Sequence, residues 1–273
     1  MIPASFEYVR AESVDHAVSL LQEHGEEAKL LAGGHSLLPL MKLRLAQPGV
    51  LIDIGRLGDL ANIRDDGDMV SIGALTHHAQ IEHSPLLRQE CPVVSHTAGQ
   101  VGDLQVRHRG TIGGSVAHGD SASDLPTVLL AVDAVMVAHG PEGTREIPAS
   151  DFFTGFWETA LTDVELLTTI KVPKLPNAGW SYQKFNRRAQ DWAIVGAVAV
   201  KNGTTRVGLT NMGSIPLRAT AVEAALQAGA SLSDAAAVAA EGTNAPADVN
   251  GSAAYREHLA RVLVRRALEE AGS

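Results

Sequence analysis

The stretch KLLAGGHSLLPLMKLRL, residues 29–45, decides how this chain is read. A short apolar run ends in Gly33-Gly34; His35 and Ser36 follow, and then apolar residues resume. AKLLAG, residues 28–33, reads as a short buried strand. Glycine is needed where φ must be positive, or where another group approaches too closely for a Cβ. A single pair of glycines after a strand is most simply an ordinary turn. The pattern returns, however, in RHRGTIGGSVAHGDSASDLP, residues 107–126, where Gly113-Gly114 precede Ser115. Successive backbone N–H groups in such turns form a concavity that binds anions. Ser36, Thr111 and Ser115 add hydroxyl donors beside them. One such loop suits one phosphate, and two suit a diphosphate held from both sides. The paired loops therefore point to a dinucleotide cofactor, with two ordinary turns as the alternative. On this reading a Cβ at Gly33 or Gly113 would fall where the phosphate must sit.

Neither loop is a G-x-G-x-x-G fingerprint, and the chain has no G-x-x-x-x-G-K-[ST]. The formal charge is −9, so an anionic cofactor needs local compensation. Arg107, His108 and Arg109, just before Thr111, supply it or form a solvated basic turn. The same acidity argues against nucleic acid and anionic membranes as partners. The 273 residues are 45% hydrophobic and 19% charged, as expected of a globular protein with a sizeable core. No apolar stretch is long enough to span a bilayer, and residues 1–10 do not read as a signal peptide. Cys91, the single cysteine, excludes an internal disulfide and fits a reducing compartment. An iron–sulfur cluster needs about four thiolates, so this chain cannot hold one alone.

Around the two loops the chain reads as mixed α+β, without the strand–helix alternation of a doubly wound sheet. SVDHAVSLLQEHG, residues 13–25, forms a helix with Val14, Ala17, Val18 and Leu21 on one face, capped by Ser13 and stopped by Gly25. Strands are expected at residues 50–54 and 69–75, with a polar turn around 65–68 between them. Residues 77–106 are helical but broken at Pro85 and Pro92. A hairpin covers 133–150, and a strand covers 165–173. The Pro/Gly-rich KVPKLPNAG, residues 171–179, marks a domain boundary. Residues 180–213 form an antiparallel sheet of three strands with a turn at Asn202-Gly203. Three helices finish the chain. The first carries Thr220 and Glu223 at capping-box spacing. The last, from about Tyr255, buries Leu259, Val262 and Leu263 and pairs Glu257 with Arg261.

AGGHSLLPLMKLR, together with TIGG and the downstream DSASDLP, resembles the FAD-binding subunits of molybdenum hydroxylases, the xanthine dehydrogenase family. The resemblance covers nearly the whole chain, including GLTNMGSIPLRA at residues 208–219 and the helical C-terminus. Within the family it is greatest to medium, flavoprotein subunits of the aerobic enzymes that oxidise carbon monoxide. It implies an α+β fold: a two-part, PCMH-type FAD-binding domain over residues 1–175, split near 55–60. A small domain of antiparallel sheet and helices over 176–273 follows. Ala32, Gly33, Gly34, His35, Ser36 and Leu37 would wrap one side of the FAD diphosphate, and Thr111, Ile112, Gly113, Gly114 and Ser115 the other. Asp124 would bond ribityl or ribose hydroxyls, its alternative being a helix N-cap. Val101, Leu167 and Lys184 would line the flavin, although a lone lysine is most often solvated. Ser115 stands where the family carries Asn, with one donor hydrogen in place of two. Trp192 stands where the family carries Tyr. It would stack on the flavin or be buried in the sheet core.

The resemblance also implies the assembly. Substrate is oxidised at a molybdenum cofactor in a large partner subunit, and electrons cross two [2Fe-2S] clusters in a small partner subunit. FAD in this chain then passes them to an external acceptor such as a quinone. The expected complex is a dimer of heterotrimers in the cytoplasm, with docking at the inner membrane face left open. Carbon monoxide is the expected substrate, with aldehydes, xanthine and other heterocycles as alternatives. A self-sufficient flavin oxidase and a cofactor-free interaction module are the remaining readings. No metal site is expected in this chain: among its 11 histidines, His77 and His78 are adjacent and so point apart, and no H-E-x-x-H exists. No G-x-S-x-G elbow exists either. Cys91, beside Pro92 in apolar surroundings, reads as a structural thiol.

Overall fold

The computed structural model describes residues 2–272. Its first 53 residues build a small parallel sheet from β1 (Glu7–Arg10), β2 (Ala28–Leu31) and β3 (Val50–Asp53), in the order β1-β3-β2. Helix α1 (Val14–His24) is the crossover between β1 and β2. Ser13 caps it by accepting from the His16 amide, and Gly25 ends it at φ +53°. Ala17, Val18, Leu20 and Leu21 are buried against the sheet, as the periodicity requires, while Val14 is only partly buried. The first glycine loop follows β2 directly and leads into α2 (Leu37–Lys42). It therefore lies at the carboxyl end of a parallel strand, where α/β sheets present ligand sites. β2 and β3 fall where strands were expected, but β1, an edge strand with no buried residue, did not stand out from the sequence, and without it neither did the strand–helix alternation.

The second sheet is antiparallel, in the order β4-β5-β10-β6-β7, from Ile63–Asp66, Met69–Gly73, Leu166–Pro173, Val135–Gly140 and Gly143–Pro148. β4 extends the turn at 65–68 into a hairpin, an edge strand its three charged residues had disguised. Between β5 and β6 run six helices: α3 (His78–His83), α4 (Pro85–Glu90), α5 (Pro92–Ala98), α6 (Leu104–Arg107), α7 (Ile112–His118) and α8 (Asp124–Ala131). Pro85 and Pro92 stand at helix starts, where a missing N–H costs nothing. Helix α9 (Ala149–Phe152) and a two-stranded hairpin of β8 (Phe153–Gly155) and β9 (Glu158–Thr159) precede β10. Every residue of α8 is buried, so this helix is a wedge of the core rather than a surface helix.

The third sheet has the order β11-β12-β13-β14, from Gly179–Phe185, Val195–Asn202, Thr204–Thr210 and Leu217–Arg218. It has four strands where three were expected. β14 is two residues long, too short to leave a periodic signal. The turn between β12 and β13 falls at Asn202 and Gly203, with Gly203 at φ +71°. Helices α10 (Thr220–Gln227), α11 (Leu232–Ala237) and α12 (Ala253–Ala271) cover one face. α12 buries Leu259, Leu263, Val264 and Leu268, with Val262 half-buried at its edge. Glu257 and Arg261 pair at 3.6 Å. The capping box at Thr220 does not form. Ala219 is the N-cap, and the Glu223 carboxylate is instead taken by Arg218 at 2.7 Å and by the Val207 amide at 2.8 Å. Tyr182, Val198 and Val200 of the third sheet join the hydrophobic core of the second, with α8 packed between.

Candidate cofactor site

A cleft of about 790 Å³ runs between the first sheet, helix α7 and the end of the third sheet. That size is typical of sites for small molecules and cofactors, roughly 300–1,000 Å³. Both glycine loops line it, together with Val101, Asp124, Leu167, Lys184 and Trp192. Of the residues that the resemblance assigns to the FAD site, Ile112 alone is absent from its walls; Arg107, His108 and Arg109, expected to compensate the cofactor's charge, do not line the cleft either. Ile112 is fully buried in the core of the second sheet, because as the first residue of α7 its side chain faces inward.

The two loops touch, which explains part of their glycine content differently from the sequence. A Cβ at Gly33 would strike the carbonyl of Arg109 and lie 3.0 Å from the Gly110 Cα. A Cβ at Gly113 would meet Ala74, at 2.5 Å from its Cβ and 2.6 Å from its carbonyl oxygen. Protein atoms, not a phosphate, therefore occupy the places that a side chain at Gly33 or Gly113 would take. Gly34 is required by its backbone, at φ +77°. Gly114 is the glycine that opens on the cleft: a Cβ there would meet only Thr111 Oγ1, at 2.9 Å, and the Ala32 Cβ, at 3.9 Å.

The loops also differ in the donors they offer. Within the described residues, no acceptor takes the amides of Gly33, Gly34, His35, Ser36 or Leu37. The second loop's amides are already used. Ile112 donates to Thr76 O at 3.0 Å, Gly113 to Ala74 O at 2.8 Å, Gly114 to Thr111 Oγ1 at 3.2 Å and Ser115 to Thr111 O at 3.1 Å. The expectation of two matching amide cradles is corrected accordingly. The first loop presents N–H groups; the second presents the hydroxyls of Thr111 and Ser115 and the bare backbone of Gly114. This donor set still suits an anionic diphosphate, and the gap at Gly114 leaves it room.

Farther along the cleft, Asp124 is 5% exposed and neither caps a helix nor stands free. Ser123 holds the N-cap position of α8. Asp124 Oδ1 accepts from the Tyr182 hydroxyl at 2.6 Å, and Oδ2 from Lys184 Nζ at 2.8 Å. Lys184 also donates to the Gln100 carbonyl at 2.9 Å, so it is a buried, paired lysine rather than a solvated one. Burial pushes the Asp124 carboxyl up, with Lys184 and Tyr182 opposing it. Burial and the facing Asp124 push the Tyr182 phenol well up. Tyr182 was missed in the sequence, yet it stands two residues from Lys184 on one strand, and period two puts both on one face. Trp192 is 56% exposed, in the loop between β11 and β12, which excludes the sheet core. Trp157, also missed, lines the cleft at φ +58°, stacked on Phe156 with ring centres 4.8 Å apart. At the cleft's other end Arg145 makes two hydrogen bonds to Glu165, at 2.7 and 2.8 Å, and these hold its carboxyl down at about 2.

The basic turn is only partly solvated. Arg107 pairs with Glu82 at 2.9 Å, and the His108 ring bonds the Leu104 carbonyl at 2.7 Å. Arg109 is exposed. Cys91 is fully buried, and burial pushes its thiol up to about 12, as befits a packing residue. No helix among the described residues is long and apolar enough to cross a membrane.

Residues 4–175 match the family of FAD-binding domains in molybdopterin dehydrogenases, and residues 180–271 the CO dehydrogenase flavoprotein C-terminal domain. The chain belongs to this family of molybdenum-hydroxylase flavoprotein subunits. It is 43% identical to the carbon monoxide dehydrogenase medium chain of Hydrogenophaga pseudoflava, over 99% of this chain and 98% of that one. It is 38% identical to the 6-hydroxypseudooxynicotine dehydrogenase complex subunit alpha of Paenarthrobacter nicotinovorans, over 99% and 96%. A solved structure of the Hydrogenophaga pseudoflava carbon monoxide dehydrogenase, lacking the Mo-pyranopterin moiety of its cofactor, superposes with a TM-score of 0.95. That match is 43% identical and covers 100% of this chain and 99% of that one.

Proposed function

We propose that this chain is the FAD-carrying electron-transfer subunit of a molybdenum hydroxylase, working with a large molybdenum-cofactor subunit and a small iron–sulfur subunit. One observation carries the reading: two loops far apart in sequence meet on one cleft, and the first offers a run of unclaimed amides beside the hydroxyls of the second. When bound, FAD supplies the means to accept electrons singly and give them up in pairs. The chain's own residues bind and orient it. Residues 32–37 face the diphosphate with their N–H groups, and Thr111, Gly113, Gly114 and Ser115 close the other side. Ile112 contributes by fixing α7 from the core. Asp124 accepts ribityl or ribose hydroxyls with the lone pairs that Tyr182 and Lys184 leave. Val101, Leu167, Lys184 and Trp192 border the flavin ring, Trp192 by stacking.

On this reading residues 1–175 carry the cofactor and β11, in residues 176–273, supports it. The assembly is a dimer of heterotrimers in the cytoplasm, delivering electrons to a quinone or similar acceptor. Carbon monoxide is the substrate we favour from the identity to the carbon monoxide dehydrogenase chains, but the substrate site belongs to the large subunit. Purified chain refolded with FAD is expected to show the flavin visible spectrum and to release FAD on acid treatment. Alone it should not oxidise carbon monoxide, aldehydes or purines with a dye acceptor. A colourless protein that takes up no flavin would support a cofactor-free module, and turnover by the isolated chain a self-sufficient flavin oxidase.

A further inference from the structure

Asp124 and Lys184 form the one ion pair among the described residues in which both side chains are nearly fully buried, at 5% and 6% exposed. Stability is a weak reason for such a pair, because desolvating two charges offsets most of their attraction. Its position says more. Both residues line the cleft, and Lys184 Nζ also reaches the carbonyl of Gln100, the neighbour of Val101, at 2.9 Å. Trp192, in the loop that leaves the strand of Lys184, lines the cleft as well.

The pair withholds charge from the cleft. Lys29 and Lys184 are the lysines that line it, and no arginine does. Lys29 is exposed on β2, whereas Lys184 is buried. An unpaired lysine at residue 184 would set a full positive charge in the wall. Asp124 Oδ2 instead lies 2.8 Å from its Nζ, and wherever the proton between them rests, the two groups sum to zero. Tyr182 donates to the other carboxylate oxygen at 2.6 Å and holds it from the same strand. Salt and water screen buried groups little, so the net charge of the pair governs the field it casts along the cleft. Two-electron reduction of a flavin with uptake of one proton leaves one negative charge on the ring. A cation beside the ring favours that state, and a neutral pair does not.

We propose that Asp124 sets the redox potential of the flavin by neutralising Lys184. This inference rests on the FAD reading, with the flavin ring beside Lys184. It is tested on the full chain saturated with FAD, by reductive titration with dithionite against indicator dyes near neutral pH. Wild type is compared with Asp124→Asn and with the double variant Asp124→Asn/Lys184→Met. The amide keeps a carbonyl for Nζ and an N–H for the Tyr182 oxygen, and removes the charge. Asp124→Asn is expected to hold reduced over oxidised flavin about tenfold more tightly than wild type does, a rise of about 30 mV in midpoint potential. The double variant, with neither charge, returns to the wild-type potential. An unmoved potential in Asp124→Asn would overturn the proposal. So would an equal rise in the double variant, which would assign the shift to altered packing rather than to charge. Should Asp124→Asn fail to fold or to hold flavin, Asp124→Ser with its own Lys184→Met double decides by the same comparison. Wild-type chain that takes up no FAD defeats the parent reading, whereas flavin-loaded variants whose potentials ignore the charge defeat only this role of Asp124.

Discussion

A methyl group at Gly33 would press on the Arg109 carbonyl and the Gly110 Cα, so this glycine holds the two loops together before any cofactor arrives. Gly33→Ala is therefore expected to destabilise the flavin-free chain by about 1–3 kcal/mol, the cost of overpacking, in urea unfolding. Unchanged flavin-free stability with lost FAD binding would mean that the phosphate, not Arg109, occupies that place. The need for glycine at residue 33 was legible in the sequence, but the reason was not. The group that comes too close belongs to the other loop, and only folding brings it there. Ile112 makes the same point. It sits inside the glycine motif yet buries its side chain in the core, because the helix that starts at that residue turns it inward.

Among the elements, the loop between β11 and β12 depends on a partner outside it. Arg256, in α12, is fully buried, donates to the Ile194 carbonyl and pairs with Asp248 at 2.8 Å. Its guanidinium thus fixes the end of the loop that carries Trp192. Arg256→Met should cost about 2 kcal/mol, the loss of hydrogen bonds from a charged donor. It should also let trypsin cut faster after Arg187 and Arg188 in the same loop. Cleavage at the wild-type rate would separate Arg256 from loop order. Helix and strand types were legible here from period and punctuation, down to the breaks at Pro85 and Pro92. The short edge strands β4 and β14 and the fate of Glu223 were not. A two-residue strand has no period, and a capping-box spacing cannot reveal that Arg218 will claim the carboxylate first.

At the scale of the whole molecule, Asp124 at the start of α8 and Tyr182 and Lys184 on β11 join the second and third sheets through a buried ion pair. Removing the cation leaves an uncompensated buried carboxylate, so Lys184→Met should cost about 3–5 kcal/mol near neutral pH. The pH dependence has a definite sign. Without Lys184, burial alone holds the Asp124 carboxyl above its unfolded value of 3.8. Its favourable contribution is then present below that value and lost as pH rises through the folded one. The deficit of Lys184→Met against wild type, measured on flavin-free chain, is expected to be larger at pH 8 than at pH 5. Equal deficits would assign the cost to lost packing alone.

Sequence alone determined the two glycine loops, the mixed α+β class, the Pro/Gly break at 171–179 and the absence of enough cysteines for a cluster. These are local properties, set by backbone conformational preference, side-chain period and composition. Only the tertiary structure decided that the loops touch, that one keeps its amides free while the other uses them internally, and that Asp124 meets Lys184. Each of these depends on which distant group reaches a donor, an acceptor or an empty space first, and no stretch of sequence contains both members of such a pair.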